Sequence, residues 1–246
     1  MYRKIIGFLE AWKKSEHRKP LILQGARQVG KTYSILEFGR THYENVVYFN
    51  FETNPKLNET FAENISPDYL IPILSHIAGQ TIVKEKTLVV FDEVQLCERA
   101  LNSLRFFSGS GWRICATGSQ LGVATRKRKL PFPSGVRQET MHPMSFEEFL
   151  WALDEEQMAN AIRTHAGTLE PYAAHQAALS LFHRYQIVGG MPAAVNAYRK
   201  TLSIEDARVE QREIDETYTA DMTDPENGIS GVAARKVWRS IPSQLL

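Results

Sequence analysis

The chain has 246 residues, 43% hydrophobic and 23% charged, with 29 basic and 28 acidic side chains and a net charge of +1. That composition suits one or two globular domains. It excludes a disordered, collagen-like or low-complexity chain, and the charge balance does not by itself advertise DNA or another polyanion as a partner.

From the N-terminus, Ile5, Leu9 and Trp12 recur at helical spacing and predict an amphipathic helix over residues 3–15. Its apolar stretch is short and broken by Glu10, which is not a secretory signal. No apolar run approaches the ~18 residues of a membrane span, so the expected location is the cytoplasm. The two cysteines, Cys97 and Cys115, read as buried thiols in a reducing compartment. Leu21 to Leu23 form a buried strand ending at Gly25, and a helix follows over Lys31 to Tyr43. Val46 to Phe51 read as a second strand, then helices around Leu57–Glu63 and Tyr69–Ala78. Thr87 to Phe91 is β-branched and uninterrupted, as in a parallel strand covered on both faces. A helix over Arg99 to Phe107, a strand over Trp112 to Ala116 and a weaker strand over Val136 to Met141 complete an alternating α/β pattern with a parallel sheet. After Pro143 only helical segments remain, punctuated by Gly189-Gly190-Met191-Pro192. The expected organisation is an α/β core over 1–143, a helical lid over 144–230 and the start of a truncated further domain over 231–246.

Gly25-Ala26-Arg27-Gln28-Val29-Gly30-Lys31-Thr32 fits G-x-x-x-x-G-K-[ST], the phosphate-binding loop. The pattern follows an apolar strand and opens a helix. The two glycines let consecutive N–H groups turn inward as an anion nest, and the helix dipole points at the same place. Lys31 puts a charge on the β- and γ-phosphates, Thr32 offers a hydroxyl to Mg²⁺, and Tyr33 closes the cofactor-binding run. Asp92-Glu93 ends the Thr87 strand, where open α/β sheets bind ligands. Asp92 is expected to hold Mg²⁺ and Glu93 to act as general base on the attacking water.

Thr117-Gly118-Ser119-Gln120 ends the fourth strand, and Ser119 is the candidate that senses the γ-phosphate. Arg99, Arg105, Arg126 and Arg137 are candidates for neutralising transition-state charge, with Arg137 favoured. Arg126-Lys127-Arg128-Lys129 is a tetrabasic run, either a solvated loop or a contact to a nucleic-acid backbone. His165, His175 and His183 match no zinc spacing. Glu147 and Glu148 after Ser145 read as the first turn of a helix.

RKPLILQGARQVGKTYSILEFG, VVYFNFE, TLVVFDEVQ, ATGSQLGVA, FPSGVRQETMHPMSFEEFL and VGGMPAAV, in that order, resemble the bacterial and archaeal AAA-type ATPases that carry a C-terminal restriction-endonuclease-like domain, close to the archaeal ATPase and STAND-like group of P-loop NTPases. The resemblance implies a P-loop NTPase three-layer sandwich with sheet order 5-1-4-3-2 followed by the helical lid. It implies ATP with Mg²⁺, Glu93 as catalytic carboxylate, and a nucleotide-facing role for Gly190-Met191-Pro192. Members of the family are longer, so the nuclease-like domain is expected to be cut short here. The implied activity is Mg²⁺-dependent ATP hydrolysis driving a conformational switch. The alternative is an ATP-gated module that binds a protein or DNA and barely hydrolyses. The expected partner is a second copy or another protein, with DNA possible and no membrane.

Overall fold

A computed structural model of the chain describes residues 1–16, 18–119, 133–168, 172–224 and 230–244. The chain divides into two compact units, Lys4–His142 and a second made of Pro143–Leu246 with Met1–Arg3.

In the first unit, β1 (Leu21–Gly25), β2 (Asn45–Asn50), β3 (Thr87–Asp92), β4 (Arg113–Ser119) and β5 (Arg137–Thr140) form one sheet in the order β2-β3-β4-β1-β5, every pair parallel. This is the order the resemblance implies, read from the other edge. The connecting helices are α1 (Lys4–Lys14), α2 (Lys31–His42), α3 (Leu57–Thr60), α4 (Pro67–Ala78) and α5 (Glu98–Ser103). The helix expected over Arg99 to Phe107 divides into α5 and a 3-10 turn, Leu104–Phe107.

Every residue of β3 and β4 is buried, as a parallel sheet covered on both faces requires. Successive side chains serve opposite faces. Ile22, Val89, Phe91, Ile114 and Ala116 pack with Leu70 and Leu74 of α4 and Leu101 of α5. Leu21, Leu23, Leu88, Val90 and Cys115 alternate with them and are equally buried. Each such aliphatic or aromatic side chain stabilises by roughly 1.5–3 kcal/mol. A methyl group at Gly39 of α2 would lie 2.7 Å from Val46 Cγ2 and 3.0 Å from Leu88 Cδ2, so the bare glycine lets α2 lie directly on β2 and β3. Both cysteines are free and buried.

The register decides what meets at the edge. With β4 between β1 and β3, Gly25 stands opposite Ser119 and Phe91 opposite Ala116, while Asn50 of β2 stands opposite Asp92. The C-terminal ends of four strands therefore converge. At the other edge, Arg137 of β5 stands opposite Leu21.

The second unit is helical: α6 (Phe146–Ala152), α7 (Glu156–His165), α8 (His175–Val188), α9 (Pro192–Thr201), α10 (Ile204–Thr223) and α11 (Gly231–Gln244). Met144, Phe149, Val188, Val195, Tyr198 and Ala207 form its core. Ser145 and Glu148 close a capping box at α6: the Ser145 hydroxyl accepts from Glu148 N–H at 3.3 Å, and Glu148 Oε2 accepts from Ser145 N–H at 2.8 Å. The other carboxylate oxygen of buried Glu148 pairs with Arg3 Nε at 3.0 Å. Gly190 packs so closely on Met144 that an added methyl would fall 2.2 Å from its carbonyl oxygen. Pro192 begins α9, where a missing N–H costs nothing. Residues 231–244 form a helix that packs on α10. The Trp238 ring lies parallel to Tyr218 at 6.2 Å, and its N–H donates to Asp215 at 2.6 Å. Among the described residues, no helix is long and apolar enough to cross a membrane.

Candidate nucleotide site

The loop between β1 and α2 is built on backbone angles few side chains accept. Gly25 has φ 153, and an added methyl would fall 2.2 Å from the Met141 carbonyl oxygen, so only glycine fits. Gly30 ends the loop at φ 93 and caps α2. Gln28 also takes positive φ, at 63. Alternating left-handed and right-handed residues turn successive N–H groups to one side, the geometry of an anion nest. Val29 is fully buried and anchors the loop, whereas Tyr33 is 60% exposed on the outer face of α2.

Lys31 is buried and folds back over the loop, donating to the carbonyls of Ala26 at 2.8 Å and Gly25 at 3.1 Å. Burial lowers the pKa of its ammonium, and the charges of Glu93 and Asp92 oppose that shift. Arg27 reaches Glu52 at 3.2 Å at the rim.

The acidic pair meets this loop. Asp92, 5% exposed, accepts the Thr32 hydroxyl on Oδ1 at 2.9 Å, the Tyr48 hydroxyl on Oδ2 at 2.5 Å and the Asn50 amide on Oδ2 at 3.1 Å. Thr117 also donates to Asp92 Oδ1, while its oxygen accepts Glu93 N–H at 3.3 Å. All four donors are neutral. Burial, and then the bond to Asp92, push the Tyr48 phenol up to about 12. Glu93 takes the left-handed conformation (φ 51, ψ 44), which costs a non-glycine residue of order 1–3 kcal/mol and recurs at functional sites. The turn re-aims its side chain away from the strand direction. Gln95, two residues on, donates its amide to Glu93 Oε2. Thr32 and Asp92 are hard oxygen donors, few in number, which fits Mg²⁺ completed by phosphate and water.

The structure thus brings together Gly25 to Thr32, Asp92, Glu93 and, opposite Gly25 in the β-ladder, buried Ser119. It does not bring Arg137 there. That residue begins β5 four positions before the level of Gly25, ~13 Å along the strand, and its guanidinium lies over Phe8 at 4.5 Å. Arg137 is therefore no candidate for this chain's own loop, because parallel pairing starts β5 at the opposite edge. Arg99 donates to the main chain at Phe61 and Glu63, and Arg105 lies over Phe106. Gln120 and Arg126 to Lys129 lie outside the described residues. His165 bonds Ala161 within α7, and no group of three or more His, Cys, Asp or Glu suited to a metal occurs among the described residues. Tyr48, Asn50 and Gln95 are additional to the site residues read from sequence. The first two are detectable there as polar positions alternating with Val47 and Phe49.

A parallel sheet with β4 inserted beside the phosphate-loop strand, and an acidic pair of which Asp92 accepts the loop threonine, define a P-loop NTPase fold. The chain belongs to the AAA domain family, whose model matches residues 17–150. A domain of unknown function matches residues 179–246; the restriction-endonuclease-like domain that the resemblance implies is not among these matches. Solved structures similar to the chain include a Walker-type ATPase of Pyrococcus abyssi (14% identity, 88% of this chain and 73% of that one, TM-score 0.49). DnaA from Aquifex aeolicus bound to AMPPCP is similar at 13% identity, 90% and 68% coverage and TM-score 0.45. PCH-2 of C. elegans is similar at 14% identity, 87% and 68% coverage and TM-score 0.44. No curated protein matches the sequence.

Proposed function

We propose that this chain binds ATP with Mg²⁺ in the loop of Gly25 to Thr32, hydrolyses it with Glu93 as general base, and uses the cycle as a conformational switch. The observation that carries this is the 2.9 Å bond from Thr32 to Asp92, which joins two stretches 60 residues apart. Magnesium, when bound, neutralises charge on the β- and γ-phosphate oxygens. The backbone N–H groups of the loop hold the phosphates, and Lys31 exchanges its two carbonyl partners for phosphate oxygens. Thr32 and Asp92 supply the protein ligands. Glu93 takes a proton from the attacking water, and Ser119 faces the γ-phosphate. The positioning of these groups, more than covalent chemistry, sets the rate. Among the described residues, the candidate arginines Arg99, Arg105 and Arg137 are engaged elsewhere. This supports an arginine supplied by a second copy or a partner protein.

Single-turnover ATP hydrolysis, measured with nucleotide affinity, tests the proposal. Lys31→Ala is expected to lose nucleotide binding, and Glu93→Gln to keep binding while losing hydrolysis. Binding in the wild type with negligible hydrolysis would favour the ATP-gated module instead. Addition of DNA decides between a nucleic-acid-linked role, expected to accelerate turnover, and a protein partner, expected to leave it unchanged.

A further inference from the structure

We infer that Gln95 is a positioning residue for Glu93, and that Gly118 is kept bare to leave room for it. The inference rests on Glu93 acting as the base of ATP hydrolysis. Gln95 is 5% exposed and sits in the 3-10 turn Val94–Leu96 directly after the acidic pair. That turn is closed by Leu96 N–H donating to Glu93 C=O at 3.0 Å and Cys97 N–H donating to Val94 C=O at 3.0 Å. The left-handed angle at Glu93 folds the chain back, so that a side chain two residues ahead reaches the carboxylate. A buried primary amide is costly unless it is used, and Gln95 spends its N–H on Glu93 Oε2.

The other end of the same amide lies against β4. A methyl group at position 118 would stand 2.9 Å from Gln95 Oε1 and 3.7 Å from its Cδ, and among the described residues, its chain neighbours aside, these are its contacts within 4 Å. Gly118 is not among the residues of positive φ, so its backbone does not demand glycine; a methyl there would instead oblige the Gln95 amide to move. On either side of Gly118, Thr117 holds the Glu93 backbone and Ser119 stands opposite the loop. The tip of β4 thereby addresses both ends of Glu93, its N–H through Thr117 and its carboxylate through Gln95.

A glutamate side chain has about 1.5–2 kcal/mol of rotamer freedom to lose, and catalytic groups work within about 0.5 Å of the productive position. One amide donor on Oε2 removes that freedom and leaves Oε1 for the water. Because the donor is neutral, it aims the carboxylate without cancelling its charge, as an arginine or lysine would.

The test is single-turnover ATP hydrolysis and ATP affinity of the full chain carrying Gln95→Ala, Gly118→Ala and both, each also in a Glu93→Gln background. Gln95→Ala is expected to slow the hydrolytic step on the order of 10- to 100-fold, with ATP affinity held within about twofold. Gly118→Ala, which displaces the amide with the side chain retained, is expected to slow it too. It serves as the independent variant should Gln95→Ala not fold. The double variant should be no slower than Gln95→Ala alone, and neither substitution should slow Glu93→Gln further. Three results would overturn the inference: unchanged turnover in Gln95→Ala while Glu93→Gln slows it to a small residual rate, a further loss of the same size from that residual rate in the Glu93→Gln background, or multiplying effects in the double variant. If Glu93→Gln itself hydrolyses normally, the assignment of the base fails and the inference falls with it.

Discussion

Asp92 in the α/β unit and Glu148 in the helical unit are both 5% exposed, yet their surroundings differ in kind. Glu148 meets a guanidinium, Arg3 Nε at 3.0 Å, and a backbone N–H at 2.8 Å. Its charge is cancelled on the spot, and the pair fastens the start of α6. Asp92 meets three hydroxyls and an amide, all neutral, and no ion pair to it occurs among the described residues. The hydrogen bonds offset its desolvation without consuming its charge, which remains available to a cation. A buried carboxylate paired with arginine is an anchor; one held by neutral donors beside a phosphate loop keeps its charge, which suits the metal-binding role proposed for Asp92.

The largest expected effect sharpens that contrast. Glu148→Ala removes the carboxylate that buried Arg3 meets and is expected to cost about 3–5 kcal/mol in urea unfolding. Replacing both with apolar residues, Arg3→Met and Glu148→Leu, should recover most of it. Gly25→Ala and Gly190→Ala each drive a methyl to 2.2 Å from a carbonyl oxygen, and about 1–3 kcal/mol is expected from each. Only Gly25→Ala should also lose ATP in a binding titration. Asp92→Asn keeps the volume, and its hydroxyl neighbours can turn from donors to acceptors. Its stability should change by no more than about 1 kcal/mol, whereas turnover is expected to vanish. A larger loss of stability than in Glu148→Ala would reverse the assignment of anchor and ligand.

The smallest effect concerns Tyr48. Its phenol is raised from 10.0 to about 12, so the fold favours the neutral form. The stability it contributes is fully present below pH 10 and is lost as pH rises through about 12. A spectroscopic titration of Tyr48→Phe should lack one late-ionising tyrosine. The variant should need a few-fold more Mg²⁺ for half-maximal turnover, about one hydrogen bond's worth.

Much of this was readable in the sequence, because the signals were local. Gly25, Gly30, Lys31 and Thr32 announce a loop whose shape the backbone angles dictate, and the apolar run before Asp92 announces a strand covered on both faces. Ser145 with Glu148 announced a helix start. What local pattern does not carry is register and long-range pairing. Arg137 was sound as a basic residue opening a strand, but parallel alignment with Leu21 places it at the far edge. Arg3 gave no sign of meeting Glu148 across 145 positions. The helix over 231–244 carries Ala234, Trp238 and Ile241 at helical spacing, but that pattern does not tell that its Trp238 meets Tyr218 while Val232 and Val237 stay exposed. Gln95 resembles any polar residue in a turn until Gly118 is seen beside it.

The most direct measurement is calorimetric ATP binding with and without Mg²⁺, in wild type and in Asp92→Asn. The wild type is expected to bind ATP more tightly with the metal, and Asp92→Asn to bind it equally well in both conditions. An Asp92→Asn variant that retained the full enhancement by Mg²⁺ would contradict the assignment of this carboxylate to the metal.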